Sequence, residues 1–211
     1  MLPFASALAV CAAFAAMVFF FLTYQRLKLR GNRDMGLQIA AKCAVTAMAA
    51  LVALMGCLRN GTPSRWVLLA GLIACTAADG VLCVRLVPGG ALFGLGHVLY
   101  ILAFCLRRGP DLRSAAVFLA LAAIVAAGYG RLRAGAGRLA PLVCGYALLL
   151  SAMVAVAANQ GPLFFAGAVL FAVSDGLLAL LSVRKGDRRL DYISLGLYYC
   201  GQFLLGLAAL L

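Results

Sequence analysis

Residues 1–26 read MLPFASALAVCAAFAAMVFFFLTYQR, and this stretch contains no charged residue from Leu2 to Tyr24. About 20 consecutive apolar residues are enough for an α-helix to cross the hydrocarbon core of a bilayer. A cleaved signal peptide would begin with basic residues, and its apolar run would be shorter. The stretch is therefore predicted to be a first membrane span that stays in the protein.

The rest of the chain has the same composition. Its 211 residues are 66% hydrophobic and 11% charged, whereas soluble domains average about a quarter charged residues. A soluble core of this size could not bury so much apolar surface. We therefore expect an all-α membrane protein, with residues 1–211 forming a single integral membrane domain, a bundle of about eight transmembrane helices. The predicted spans are Leu2–Tyr24, Leu37–Leu58, Arg65–Val84, Gly90–Leu106, Leu112–Tyr129, Leu139–Ala157, Leu163–Val183 and Leu190–Leu211.

The charge pattern predicts the orientation of the spans. The net charge is +12, but the basic residues lie in short clusters between apolar runs, so nucleic-acid binding is not expected. The loops after the odd-numbered spans contain twelve Lys and Arg, and the other loops contain five. The positive-inside rule then places both termini outside and the odd-numbered loops in the cytosol. Short Arg-rich loops favour a bacterial inner membrane.

Cysteine and histidine give no sign of a metal or cofactor. All eight Cys lie in apolar runs without a CxxC pair, and there is a single His, so the Cys are interpreted as packing residues. No G-x-S-x-G motif of a serine esterase occurs. We therefore expect no cofactor and no metal.

A faint internal repeat joins the two halves of the chain. The third span contains Asp79-Gly80 and the seventh contains Asp175-Gly176. The fourth and eighth spans contain Leu95-Gly96 and Leu195-Gly196, each followed by Tyr. Four spans separate the copies, which predicts two parallel four-helix repeats related by an axis along the membrane normal. Chance similarity between Leu- and Gly-rich helices is the alternative. A true repeat would bring the two Asp residues face to face.

Asp79 and Asp175 are the strongest candidates for a functional site. An ionisable residue inside a span is costly, faces the bundle interior and is functional by default. From the spacing to Arg85 and Arg184, both lie about 9–14 Å from the cytosolic helix ends. Five further polar side chains fall in the same layer, namely His97, Tyr100, Tyr146, Tyr198 and Gln202. Ser174 is a supporting candidate or bonds only its own backbone, and Lys42 is expected to extend to the cytosolic surface.

Three stretches together resemble the YhhN-like lysoplasmalogenase family. The first is ADGVLCVRLVPGGALFGLGHVLYILAF, residues 78–104, with Asp79 and an H-x-x-Y-x-x-x-F pattern from His97. The second is LFAVSDGLLAL, residues 170–180, and the third is YYCGQFLLG, residues 198–206. They follow the family order and cover about a third of the chain. One departure is Ala78, where the family usually has Gly.

The resemblance implies hydrolysis of the vinyl ether bond of lysoplasmalogens to a fatty aldehyde and glycerophosphoethanolamine or glycerophosphocholine. The chemistry fits two carboxyl groups, because one can protonate the β carbon while the other stabilises the resulting oxocarbenium ion, as in glycosidases. Our hypothesis is that Asp175 is the acid and Asp79 the base or stabiliser, and the sequence leaves the reverse assignment open. His97 would relay a proton, and the other polar residues of the layer would position substrate or water. The expected partners are a lysophospholipid substrate and membrane lipid, with a homodimer left open.

Two other classes of protein remain compatible with the residues. Paired intramembrane Asp residues also serve proton relays, so a proton-coupled transporter of small molecules or lipids is the main alternative. A lipid-binding or scaffold protein without chemistry is the third. A transporter would reach the Asp layer from both faces in turn, whereas a scaffold would tolerate substitution of Asp79 and Asp175.

Overall fold

The computed structural model describes residues 3–29, 34–183 and 188–211, and these contain helices and no strand, which confirms the all-α prediction. Side chains at positions 132, 136 and 179–183 are outside the description. Within these described ranges, eight α-helices follow one another. They are α1 (Phe4–Leu29), α2 (Met35–Arg59), α3 (Pro63–Leu82), α4 (Leu86–Arg107), α5 (Leu112–Ala136), α6 (Ala140–Ala157), α7 (Pro162–Val183) and α8 (Arg188–Leu210).

Seven of these helices are long and apolar enough, over their described residues, to cross a membrane. The eighth, α7, has 22 residues, and its part with described side chains, Pro162–Leu178, is apolar. At about 1.5 Å per residue, 22 residues span about 33 Å, which matches the hydrocarbon core. The protein is therefore a multi-pass integral membrane protein, and each of the eight predicted spans corresponds to one helix.

Several helices extend beyond the apolar runs that predicted them. Helix α1 continues to Leu29, past Arg26 and Lys28, and α5 continues to Ala136 instead of ending near Tyr129. Basic residues interact favourably with the negative end of the helix dipole, and their long side chains reach the membrane surface from within the helix. A charged residue after an apolar run therefore marks the interface more reliably than the end of the helix.

Two of the loop aspartates start helices. Asp34 accepts a hydrogen bond from the backbone N–H of Leu37 at the start of α2. Asp111 accepts one from the N–H of Ser114 at the start of α5, at 2.8 Å, and this bond lowers the pKa of the Asp111 carboxyl. Both are N-caps that satisfy backbone donors left free in the first turn.

Helix packing repeats between the two halves of the chain. Helices α1 to α4 pack in sequence, each on the next, and α5 to α8 do the same. Across the halves, α2 packs on α8, and the equivalent pair α4 and α6 is also in contact. The outer helices α1 and α5 pack mainly on α2 and α6 respectively, and most of their surface is exposed. This arrangement is the one expected of two parallel four-helix repeats.

Close glycine crossings define the register of the repeat. A Cβ atom added to Gly96 would lie 3.4 Å from the carbonyl oxygen of Gly71, and one added to Gly201 would lie 2.8 Å from that of Gly167. Gly71 precedes Asp79 by eight residues, and Gly167 precedes Asp175 by eight. These crossings let α3 and α4, and likewise α7 and α8, approach with their backbones nearly in contact.

The predicted match between Gly96 and Gly196 is therefore wrong. An added Cβ at Gly196 would have no atom within 4 Å, so this glycine does not mediate a helix crossing. Gly201 takes that place, because it is the residue of α8 that faces Gly167. The residues that follow the two crossing glycines, His97 and Gln202, consequently occupy equivalent positions in the two halves.

Candidate active site

The buried carboxylate of Asp79 lies at the centre of a polar network between α2, α3 and α8. Its Oδ2 accepts hydrogen bonds from Thr46 Oγ1 at 2.5 Å and from the Tyr198 hydroxyl at 2.9 Å. The Nζ of Lys42 lies 3.4 Å from Oδ1. Asp79 is only 1% exposed. A buried carboxylate with a cation and two donors has the partners that an ionised group needs in a medium of low dielectric constant.

The expectation that Lys42 extends to the cytosolic surface is wrong. Its side chain is buried, and its ammonium group forms an ion pair with Asp79. Lys42 and Thr46 are one helical turn apart on α2, so both reach Asp79 from one face. That face continues through the buried Ala49 and Ala53, and this run of small residues was the sequence signal that it points inward. Neither Lys42 nor Thr46 was identified as a site residue from the sequence.

Asp175, on α7, has a sparser environment. Its Oδ2 accepts a hydrogen bond from the hydroxyl of Tyr146 on α6 at 2.5 Å. Among the residues that the structure describes, this tyrosine is its only hydrogen-bond partner, and no basic side chain pairs with it. As a residue Asp175 is partly buried, whereas Asp79 is enclosed completely. The two candidate catalytic residues therefore occupy equivalent positions with unlike surroundings.

His97 presents an unpartnered nitrogen inside the bundle. Its Nδ1 lies 2.6 Å from the carbonyl oxygen of Phe93, and because a carbonyl only accepts, Nδ1 carries the proton. Nε2 is therefore a bare acceptor, and it is buried without a hydrogen-bond partner. The imidazole ring packs edge-on against Tyr146 and Phe171, with centroid distances of 5.3 and 4.7 Å. The same tyrosine thus contacts both His97 and Asp175.

Tyr100 and Gln202 form a second buried pair. The Tyr100 hydroxyl donates to Oε1 of Gln202 at 2.6 Å, which fixes the orientation of the amide. The Nε2 group of Gln202 is buried and has no hydrogen-bond partner. A free acceptor on His97 and a free donor on Gln202, in equivalent positions of the two halves, are the kind of groups that bind a polar part of a ligand or a water.

Ser174 does not join the site. Its hydroxyl donates to the carbonyl oxygen of Ser194 at 2.8 Å, and the Ser194 hydroxyl donates back to the Ser174 carbonyl at 2.9 Å. This reciprocal pair fastens α7 to α8, next to the turn that presents Asp175. The suggestion that Ser174 bonds only its own backbone is wrong, and its supporting role is structural.

Aromatic rings separate the two carboxyl groups. Phe171 packs edge-on against Tyr198 at 5.1 Å as well as against His97, and Phe93 contacts both Phe171 and Tyr198. Each carboxyl has its own hydrogen-bond partners, Tyr146 for Asp175, and Thr46 and Tyr198 for Asp79. The layer therefore places two carboxyl groups in one low-dielectric region without direct contact between them. No three His, Cys, Asp or Glu side chains of the described residues cluster as a metal site.

Comparison with known sequences agrees with the motifs. The sequence model of the YhhN family matches residues 37–209. The chain belongs to the YhhN family. The YhhN match runs from the first turn of α2 to the last turn of α8 and contains both aspartates and every partner described above, while α1 lies outside it. No curated protein and no solved structure matches the chain.

Proposed function

We propose that this protein hydrolyses the vinyl ether bond of lysoplasmalogens, releasing a fatty aldehyde and glycerophosphoethanolamine or glycerophosphocholine. The observation that carries the proposal is the unequal pair of intramembrane carboxyl groups. Asp79 is ion-paired with Lys42, whereas Asp175 has a tyrosine and no cation as its partner among the described residues. Membership of the YhhN family supports a lysoplasmalogenase-type hydrolase.

The reaction needs an acid and an anion. Protonation of the β carbon of the vinyl ether leaves an oxocarbenium ion at the ether carbon. Water adds to that carbon, and the hemiacetal collapses to aldehyde and alcohol. Glycosidases meet the same demand with two carboxyl groups around a similar cation.

Asp175 is assigned as the proton donor. Two neighbouring carboxyl groups in a low-dielectric region tend to share one negative charge, and Asp79 would hold it because Lys42 compensates it. Asp175 then keeps its proton and transfers it to the β carbon. The resulting Asp175 carboxylate accepts a proton from the attacking water, which restores the acid. Tyr146 holds the carboxyl in place throughout, since its hydroxyl donates to whichever form is present.

Asp79 is assigned as the electrostatic stabiliser. Its charge is held by Lys42, Thr46 and Tyr198 and is therefore present before the substrate binds. The bare Nε2 of His97 would accept a hydrogen bond from the attacking water, and the free amide N–H of Gln202 would bind an oxygen of the glycerol. In this division of roles, the ion-paired Asp79 supplies the negative charge and Asp175 transfers the proton.

The membrane orientation follows the loop charges. With the odd-numbered loops in the cytosol, the Asp layer lies in the cytosolic half and the lipid phosphate meets the Arg and Lys belt there. The alkyl tail lies among the helices. A bacterial inner membrane with both termini outside remains the proposed location.

The test uses purified protein in detergent with a lysoplasmenylethanolamine and its matched ester lysophospholipid. We expect fatty aldehyde from the vinyl ether and no fatty acid from the ester. Asp175→Asn, purified alongside, controls for a contaminating hydrolase and should release no aldehyde above background. Absence of product from either lipid with folded protein would reject the proposal and favour the transporter, to be examined by proton-flux assays.

A further inference from the structure

The two halves of the bundle offer an internal comparison beside each aspartate. In both halves Asp is followed by Gly, giving Asp79-Gly80 on α3 and Asp175-Gly176 on α7. A Cβ added to Gly80 would lie 3.1 Å from Cys43 Sγ and 3.4 Å from a side-chain carbon of Ile39, so α2 fills this seam. A Cβ added to Gly176 would have no atom of the described side chains and backbone within 4 Å.

The seam between α6 and α7 is open where the equivalent seam between α2 and α3 is closed. Helices α2 and α3 pack along much of their length, and Cys43 also donates to the Thr76 carbonyl at 3.3 Å across their seam. Helices α6 and α7 contact each other far less extensively. Gly176 follows Asp175 by one residue, on the side of α7 turned away from Ser174 and α8. The gap therefore lies next to Asp175, a residue that is only partly buried.

An opening to hydrocarbon would be a poor environment for this carboxyl. Asp175 lies eight residues before Val183, the end of α7, which places it about 12 Å below that end. A polar group at such depth without enough partners costs several kcal/mol when only hydrocarbon faces it. The single hydrogen-bond partner of Asp175 among the described residues is accounted for if the polar part of a ligand supplies further partners during the reaction.

The charges above the seam indicate the class of ligand. Helix α6 begins at Ala140, and Tyr146 lies about 9 Å below that point. Arg131 and Arg133 lie near the end of α5, and Arg138 lies in the turn before α6; all three are exposed. The surface cations fit the phosphate of a phospholipid head group, and the carboxyl group a short distance below them fits a reacting bond close to the glycerol.

We infer that the α6–α7 seam beside Asp175 is the lateral entrance by which a single-chain phospholipid passes from the bilayer into the site. A seam between two adjacent helices accommodates one alkyl chain, which fits a lysolipid better than a lipid with two chains. The inference rests on the proposed function for the identity of the lipid. A lateral entrance at this seam explains why the two halves differ. Only Asp175 needs access to the lipid, while Asp79 supplies a fixed negative charge.

The experiment compares Gly176→Leu with Gly196→Leu. Both glycines have open space around an added Cβ, so both variants should fold, but only Gly176 borders the seam. A photoreactive ester lysophospholipid, with the reactive group in its acyl chain, is cross-linked to the protein in vesicles, and the labelled peptides are mapped by mass spectrometry. The ester is used because its binding does not depend on vinyl ether hydrolysis.

We expect labelling of α6 and α7 in the parent protein and in Gly196→Leu, and about tenfold less in Gly176→Leu, the effect of a bulky group in an apolar slot. The value of kcat/KM for lysoplasmalogen should fall in parallel. Two results would contradict the proposed entrance. One is labelling mainly of another surface, such as the alanine-lined groove between α1 and α2 around Ala12 and Ala13. The other is equal labelling of the two variants. Correct labelling without any hydrolysis would instead count against the proposed function alone.

Discussion

Replacing Lys42 with Met tests the buried ion pair at the centre of the site. The substitution keeps the apolar stem and removes the charge 3.4 Å from Asp79 Oδ1. At an effective dielectric constant of about 20, two unit charges at that distance attract by about 5 kcal/mol. Breaking a buried pair by removing one partner typically costs about 3–5 kcal/mol. Because Asp79 can take up a proton in the variant, we expect the lower end, about 3 kcal/mol of unfolding free energy.

The activity of this variant should fall together with its stability. Without Lys42 the fixed negative charge of Asp79 is no longer compensated, so the cation-stabilising group is lost. Unfolding by SDS in mixed micelles measures the stability, and aldehyde release measures the turnover. The double variant Lys42→Met/Asp79→Asn provides the control, because neutralising both partners should recover most of the stability and none of the activity.

Unchanged stability and turnover of Lys42→Met would show that the ion pair with Asp79 does not form. If Lys42→Met unfolds within about 0.5 kcal/mol of the parent protein, the range of an ordinary surface substitution, and keeps full turnover, the ammonium group does not pair with Asp79. The side chain would then reach the membrane surface, as its position in the sequence first suggested.

Three further predictions follow from the described contacts. Asp175→Asn keeps an acceptor for Tyr146 but removes the transferable proton, so kcat should fall by about 10²–10⁴ with little change in unfolding. Tyr146→Phe leaves the Asp175 carboxyl without its donor, and kcat should fall about tenfold or more, with KM less affected. Gly56→Ala would place a Cβ 2.3 Å from the backbone oxygen of Ala209 and should destabilise by about 1–3 kcal/mol, whereas Gly196→Ala, in open space, should stabilise by less than about 1 kcal/mol in SDS unfolding.

The sequence was sufficient to predict the helices and their number, because apolar length is a direct physical requirement of a bilayer. The sequence also led us to choose Asp79 and Asp175 as candidate site residues, because a carboxyl group inside a membrane span is energetically costly. Helix ends were harder to predict. Basic residues such as Arg26 and Lys28 mark the membrane surface but are compatible with helix, so α1 and α5 extend further than their apolar runs.

The direction in which each helix faces was not predictable from periodicity. In a soluble helix an apolar stripe marks the core, but in a membrane the lipid-facing side is equally apolar. Lys42 was misplaced for this reason, because both a snorkelling and an inward orientation suit one Lys near the end of a span. Small residues on the same face, Ala49 and Ala53, are the pattern that favours the inward orientation.

The difference between the two halves also lies beyond sequence reasoning. Asp79-Gly80 and Asp175-Gly176 are the same dipeptide in equivalent spans, yet one is enclosed and the other borders an open seam. That difference depends on which side chains of α2 and α6 occupy the space beside each aspartate. Such packing arises from contacts between residues that are distant in sequence, such as Cys43 and Thr76.

The most direct test of the account is hydrolysis of a lysoplasmalogen by the purified protein in D2O. If an acid of the protein protonates the β carbon, the released aldehyde carries one deuterium on the carbon next to the carbonyl, and Asp175→Asn forms this product at least about a hundredfold more slowly. Aldehyde without deuterium, or equal rates for the parent protein and Asp175→Asn, would contradict the proposed acid chemistry.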